Sequence, residues 1–221
     1  MTQISLPTHH PAEEHLLDYA AGAIDPAAAL ATATHLNFCP VCRDRVAELE
    51  AIGGALFDEL PPAPISASAR AALLDRLDDG IDSQPEARPA APAGGPLLPR
   101  PLAAVVGGGL ESLPWRRVAW NAEEAALPVA ATVMRARLMR IKPGAAIPRH
   151  RHGGNEMVAV LAGGFVDAFG EHLRGDLAVH DQDSDHKPVA QAGEDCLCLV
   201  VDEAPVHLTG FFARWLNPFL R

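Results

Sequence analysis

Three side chains near the start of the sequence have the types and spacing of a metal site: His35, Cys39 and Cys42, in the string His-Leu-Asn-Phe-Cys-Pro-Val-Cys. On a helix, residues four apart share a face, so His35 and Cys39 lie one turn apart and Cys42 follows a turn later. Two thiolates and an imidazole suit tetrahedral zinc, and the fourth ligand must come from elsewhere in the chain. A second group, His150, His152 and Glu156, lies beyond the middle of the chain. On a strand, His150 and His152 face the same side. Gly153-Gly154 permits a turn that returns Glu156 toward them. Two imidazoles and a carboxylate bind a divalent ion such as zinc, manganese, iron or nickel.

The elements that must position these groups differ in character. Residues 12–21 read as a first helix stopped by Gly22. Asp25-Pro26 opens a second, alanine-rich helix that carries His35, through an N-cap followed by proline at the first helical position. Pro40 opens a third, with Val46, Leu49, Ile52, Leu56 and Leu60 recurring at helical spacing as a stripe expected to be mainly core. Ser66 or Ser68 can cap a fourth, carrying Leu73, Leu74 and Leu77. Four short helices are too small a unit to be stable without a staple, which a structural metal supplies. Residues 85–101 hold six prolines in seventeen positions and read as a semi-extended linker. Beyond it the period changes: residues 132–138 alternate, 196–200 alternate in part, and paired Gly and Pro-Gly punctuate short apolar runs. Many short strands at close spacing indicate an all-β barrel or sandwich. The expected organisation is a helical module over 1–84, a linker over 85–104 and a β domain over 105–221.

Charge divides along the same line. The chain of 221 residues has a net charge of −10. Residues 1–84 carry four arginines, no lysine and thirteen Asp/Glu; the remainder carries fourteen basic and fifteen acidic residues. An acidic helical module argues against direct DNA binding and favours a basic protein partner, although acidity also simply keeps a small domain soluble. No apolar run approaches a membrane span, and Met1-Thr2-Gln3-Ile4-Ser5 lacks the basic and apolar regions of a signal peptide. A cytoplasmic location is expected. There, four cysteines point to metal ligands or free thiols rather than a disulfide framework. Cys196 and Cys198 share one strand face and read as small core hydrophobes, with an oxidisable pair as the functional alternative. His15, His172 and His207 have no motif around them and read as surface or core residues.

With Leu17-Asp18-Tyr19-Ala20-Ala21-Gly22 and Ala33-Thr34-His35-Leu36 preceding the cysteines, the N-terminal part resembles the zinc-binding anti-sigma factors of extracytoplasmic-function (ECF) sigma factors, in particular the ChrR-type members. That resemblance implies a fourth zinc ligand just before the first helix. His10 is the matching position and His9 its rival. The string Gly144-x5-His150-x-His152-x3-Glu156-x6-Gly163 resembles the first motif of the cupins throughout. By that resemblance a second motif opens at Gly175-Asp176 and supplies His186 as the remaining ligand, with His180 as the alternative. The Pro-x-Gly usual before that histidine is replaced by Asp183-Ser184-Asp185. The order of modules implies an anti-sigma factor, not an enzyme, with zinc in the helical domain and zinc or another divalent metal in a cupin barrel. It implies an ECF sigma factor clasped between the two domains and released on an oxidative signal sensed through the cupin. The rival reading is a dioxygenase-like cupin enzyme, since an open position on iron in such a site favours catalysis.

Overall fold

The computed structural model describes residues 6–78, 98–129 and 133–210. Helices α1 (Glu13–Ala20), α2 (Pro26–Leu36), α3 (Pro40–Asp58) and α4 (Ala67–Asp78) form the N-terminal part. Asp25 caps α2, its Oδ1 accepting from Ala27 N at 2.8 Å, and Ser66 Oγ accepts from Ala69 N at the start of α4. The Asp25 carboxylate has a second use: Oδ2 accepts from Val133 N at 3.0 Å, tying the start of α2 to the β domain.

A further helix, α5 (Arg100–Val106), begins inside the segment expected to be a linker. Pro101 does not prevent it, because the first turn of a helix has no intrahelical use for its N–H groups. Residues 85–97, which hold the other proline-rich positions, lie outside the described residues.

The third helix corrects another expectation. Val46 is buried and Leu49 partly so, but every residue from 51 to 77 is exposed. α3 has 19 residues and packs on α1, which has 8. At 1.5 Å per residue only its first turns meet a partner. The stripe Ile52, Leu56 and Leu60 is therefore surface, as are Leu73, Leu74 and Leu77 of α4.

The β domain is antiparallel throughout. Its strands are β1 (Arg116–Ala119), β2 (Ala122–Ala126), β3 (Arg135–Ile141), β4 (His150–Arg151), β5 (Glu156–Ala162), β6 (Gly164–Asp167), β7 (Gly170–Leu173), β8 (Leu177–His180), β9 (Asp185–His186), β10 (Val189–Ala190), β11 (Cys196–Asp202) and β12 (His207–Leu208). They form a six-stranded sheet, β1-β2-β3-β11-β5-β8, and two three-stranded sheets, β10-β6-β7 and β12-β4-β9. The central strand β11 is buried at every position. Cys196, Cys198 and Val200 pack inward with Val158, Val160, Phe165 and Ala190, while Leu197, Leu199 and Val201 pack outward against α2 and α5. A sheet covered on both faces needs apolar side chains on both, which is why β11 reads as a nearly continuous apolar run.

Alanines make the outer cover close. Ala27, Ala28 and Ala31 of α2 share one cluster with Leu102 of α5 and Leu138, Ala159 and Leu199 of the sheet. The N-terminal part has one small cluster of its own, Leu16, Cys39, Cys42 and Val46. Two of those four are the cysteines, so little besides a metal would hold that end of the module together.

Candidate metal centres

The segment before α1, the end of α2 and the start of α3 bring His10, His35, Cys39 and Cys42 together. One ligand atom from each lies within 4.8 Å of all the others. His35 Nδ1 is 2.7 Å from Gly175 O, and a carbonyl only accepts, so Nδ1 carries the proton and Nε2 keeps its lone pair. That Nε2 is 3.3 Å from Cys42 Sγ. His10 approaches through its other nitrogen, with Nδ1 3.4 Å from both sulfurs. Cys39 is the N-cap of α3, and its sulfur accepts from Cys42 N. Burial, and then the Cys39 sulfur beside it, push the Cys42 thiol up to about 12. Two sulfurs and two imidazoles brought this close and largely buried suit a cation, which reverses that trend and deprotonates the thiols. His9, the rival to His10, points elsewhere: its ring lies 4.2 Å from that of His172.

The second group lies inside the β domain. His150 and His186 face one another across the β4–β9 pair, and Glu156 opens β5. His150 Nδ1 gives its hydrogen to Pro148 O at 2.9 Å, and His186 Nδ1 to Asp167 Oδ2 at 2.7 Å. The Nε2 lone pairs of both rings therefore face each other at 3.1 Å, and His152 Nε2 is 3.0 Å from that of His186. Lone pairs aimed at one another are repulsive unless a cation is shared between them. His150, His152, Glu156 and His186, all buried, fit a divalent ion. Burial and neighbouring imidazoles lower His150 to about 4 and His152 to about 3, which keeps them neutral and able to ligate. Burial raises Glu156 to about 8 against the pull of Arg137, and Asp202 pushes the same way as burial.

Residues 108–205 match the ChrR cupin-like domain. Over 213 residues the chain is 38% identical to the anti-sigma-E factor ChrR of Cereibacter sphaeroides, covering 96% of this chain and 98% of that protein. The chain belongs to the ChrR family of anti-sigma factors. The crystal structure of Rhodobacter sphaeroides SigE in complex with the anti-sigma ChrR contains a chain that superposes with a TM-score of 0.74 at 38% identity, over 88% of this chain and 98% of that one. The helical part and the cupin-like β domain thus form the architecture of this ChrR-family member as a whole.

Several residues around the ChrR-type cupin group had no motif to mark them. Arg137 reaches Asp202 and lies 4.0 Å from Glu156, placing two buried carboxyl groups beside one guanidinium. Strand register could have placed it: Asp202 pairs with Glu156 on one side and Arg135 on the other, so alternate residues of β3 and β11 share the interior face. His180 pairs with Glu156 in the same way. His180, the alternative ligand by resemblance, lies instead with Asp167 and His186 in a second group that shares His186 with the four-residue one. Asp167 sits well below the usual carboxylate range; burial alone would raise it, but hydrogen bonds from His172 and His186 outweigh that. Cys196 and Cys198 are buried with their sulfurs 3.5 Å apart, and the contact and burial push the Cys198 thiol up. His172 is buried, His15 Nε2 donates to Thr32 Oγ1 at 2.7 Å while that hydroxyl donates to Ala28 O, and His207 is exposed.

Proposed function

We propose that this chain is a zinc-dependent anti-sigma factor that sequesters an ECF sigma factor in the cytoplasm and releases it on an oxidative signal taken up by the cupin domain. The observation that carries this reading is the relation to ChrR over nearly the full length of both chains, helical part and cupin part in the same order. Among the described residues no helix is long and apolar enough to cross a membrane.

Zinc held by His10, His35, Cys39 and Cys42 would supply a cross-link among three segments that share almost no core of their own. His35 serves both halves: Nε2 faces the sulfurs while Nδ1 donates to Gly175 of the β domain. The exposed apolar side chains of α3 and α4, among them Leu56, Phe57, Leu73 and Leu77, are the surface assigned to the sigma factor. Each Leu buried there contributes roughly 1.5–3 kcal/mol. The acidic charge of this part steers a basic partner onto it and speeds encounter. A divalent metal held by His150, His152, Glu156 and His186 would supply the responsive centre of the cupin.

The test is co-elution of the purified zinc-loaded full-length protein with its cognate ECF sigma factor. A 1:1 complex is expected, and the C39A/C42A variant is expected to form none. Two separately eluting proteins would refute the reading, and an unchanged complex with the double variant would remove zinc from it.

A further inference from the structure

Between the two metal centres runs a chain of side-chain contacts, buried as far as His172 and partly exposed at His9. It starts at His186, whose Nδ1 is 2.7 Å from Asp167 Oδ2. The other oxygen of Asp167 is 3.3 Å from His172 Nε2. The His172 ring meets that of His9 at 4.2 Å. His9 adjoins His10 in sequence, and its main chain is clamped to the β7–β8 turn. Thr8 N and His9 N donate to Asp176 Oδ1 at 2.6 and 3.0 Å, and Leu177 N donates to His9 O at 3.2 Å. The residue before Asp176 is Gly175, whose carbonyl takes the hydrogen of His35. Gly175 has φ +99, and a Cβ there would lie 2.9 Å from Phe38 Cβ and 3.0 Å from Pro7 Cγ, so this seat admits little slack.

His172 is the informative member. It is 1% exposed, rests on Phe165 at 4.5 Å and leaves Nδ1 without a hydrogen-bond partner. An aromatic hydrocarbon side chain would fill that space without the cost of an unpaired buried nitrogen. What the imidazole adds is its link to Asp167.

We propose that Asp167 and His172 are positioning residues that tie the two metal centres together: Asp167 fixes the ring of His186, and His172 passes the state of that ligand to His9 and so to the seat of His10. The proposal deepens the reading of the cupin as the regulatory half and rests on it. When His186 is held in place, Asp167 and His172 are fixed and His9 has a rigid wall to pack on. When His186 is freed, Asp167 keeps only Phe169 N and His172 as partners, both on Oδ1, so its carboxylate and His172 can shift and the clamp on residues 8–10 loosens.

The test uses full-length zinc-loaded protein with no sigma factor present, so that its failure and failure of sigma binding are told apart. The cupin centre is emptied by H152A. Hydrogen exchange is read at the amides of Thr8, His9 and Leu177, together with the rate of zinc transfer from the N-terminal centre to a chromogenic chelator. Both should rise roughly 5- to 150-fold over wild type, the range of ordinary coupling between sites. In H9A, a partly exposed position whose truncation leaves the core intact, and in H172Q, emptying the cupin should cause no further rise. D167A should weaken cupin metal binding by roughly 10- to 100-fold, as loss of a ligand's hydrogen-bond partner does. Unchanged exchange and zinc transfer in H152A, or a full response persisting in H9A, would overturn the proposal.

Discussion

At the scale of single residues, the two centres are set by which nitrogen of each histidine is already engaged. Carbonyls of Gly175 and Pro148 and the carboxylate of Asp167 take the Nδ1 hydrogens of His35, His150 and His186, leaving three Nε2 atoms to ligate. His10 is the exception and presents Nδ1. Protonation follows from the same surroundings. Glu156, raised by burial to about 8, is protonated in the metal-free protein at neutral pH, while His150 and His152, lowered to about 4 and about 3, are not. Metal uptake by the cupin centre near pH 6.5 should therefore release about one proton, and apparent affinity should rise with pH and level off above Glu156's own titration. Calorimetry of the C39A/C42A variant in buffers of different ionisation enthalpy measures that release, and a pH-independent affinity would contradict it. Six of the eight residues brought together were legible in local spacing, His-x3-Cys-x2-Cys and His-x-His-x3-Glu, whereas His10 and His186 lie apart from those strings and came only with the family resemblance. Asp167, His172 and Arg137 were not legible, since each acts on a ligand distant in sequence and depends on strand register, which local spacing does not determine.

Among the elements, α2 does most to join the halves. Its alanines let it lie close on the sheet, and Ala27 and Ala31 are fully buried. Ala31→Leu should cost about 1–3 kcal/mol by overpacking and lower the melting temperature, while a serine at an exposed α4 position should not. The helix was foreseen from Asp25-Pro26, but its burial against strands was not, because an alanine-rich helix carries no amphipathic stripe to say which side is covered. α3 fails in the opposite sense. Its stripe has the period of a core helix, yet Ile52, Leu56 and Leu60 face outward because α1 is too short to cover them. Periodicity reports that a face is apolar, not what covers it. Leu56→Asp combined with Leu73→Asp should leave thermal stability nearly unchanged and weaken sigma-factor binding by about 2 kcal/mol or more. Equal binding by surface plasmon resonance would show that this face is not the interface.

For the whole molecule, the division of charge and of packing tells the same story. The acidic helical part carries nearly all of the net charge of −10 and little core of its own, while the cupin part is nearly neutral and well packed. A part so slight would depend on the metal its His and Cys group can hold, on the β domain it rests upon, and on any partner that covers its apolar helices. Association with a basic sigma factor should slow as salt rises, because screening shortens the reach of the acidic field, whereas dissociation should change less. Stopped-flow association at two ionic strengths checks this; equal rates would contradict electrostatic steering. The central claim is that a metal-held helical module grips a sigma factor. The most direct test is the affinity of the full-length protein for its ECF sigma factor before and after selective removal of the N-terminal zinc. Tight binding that is lost with the zinc and restored by adding it back is the predicted result; binding of equal strength by the zinc-free module would contradict the account.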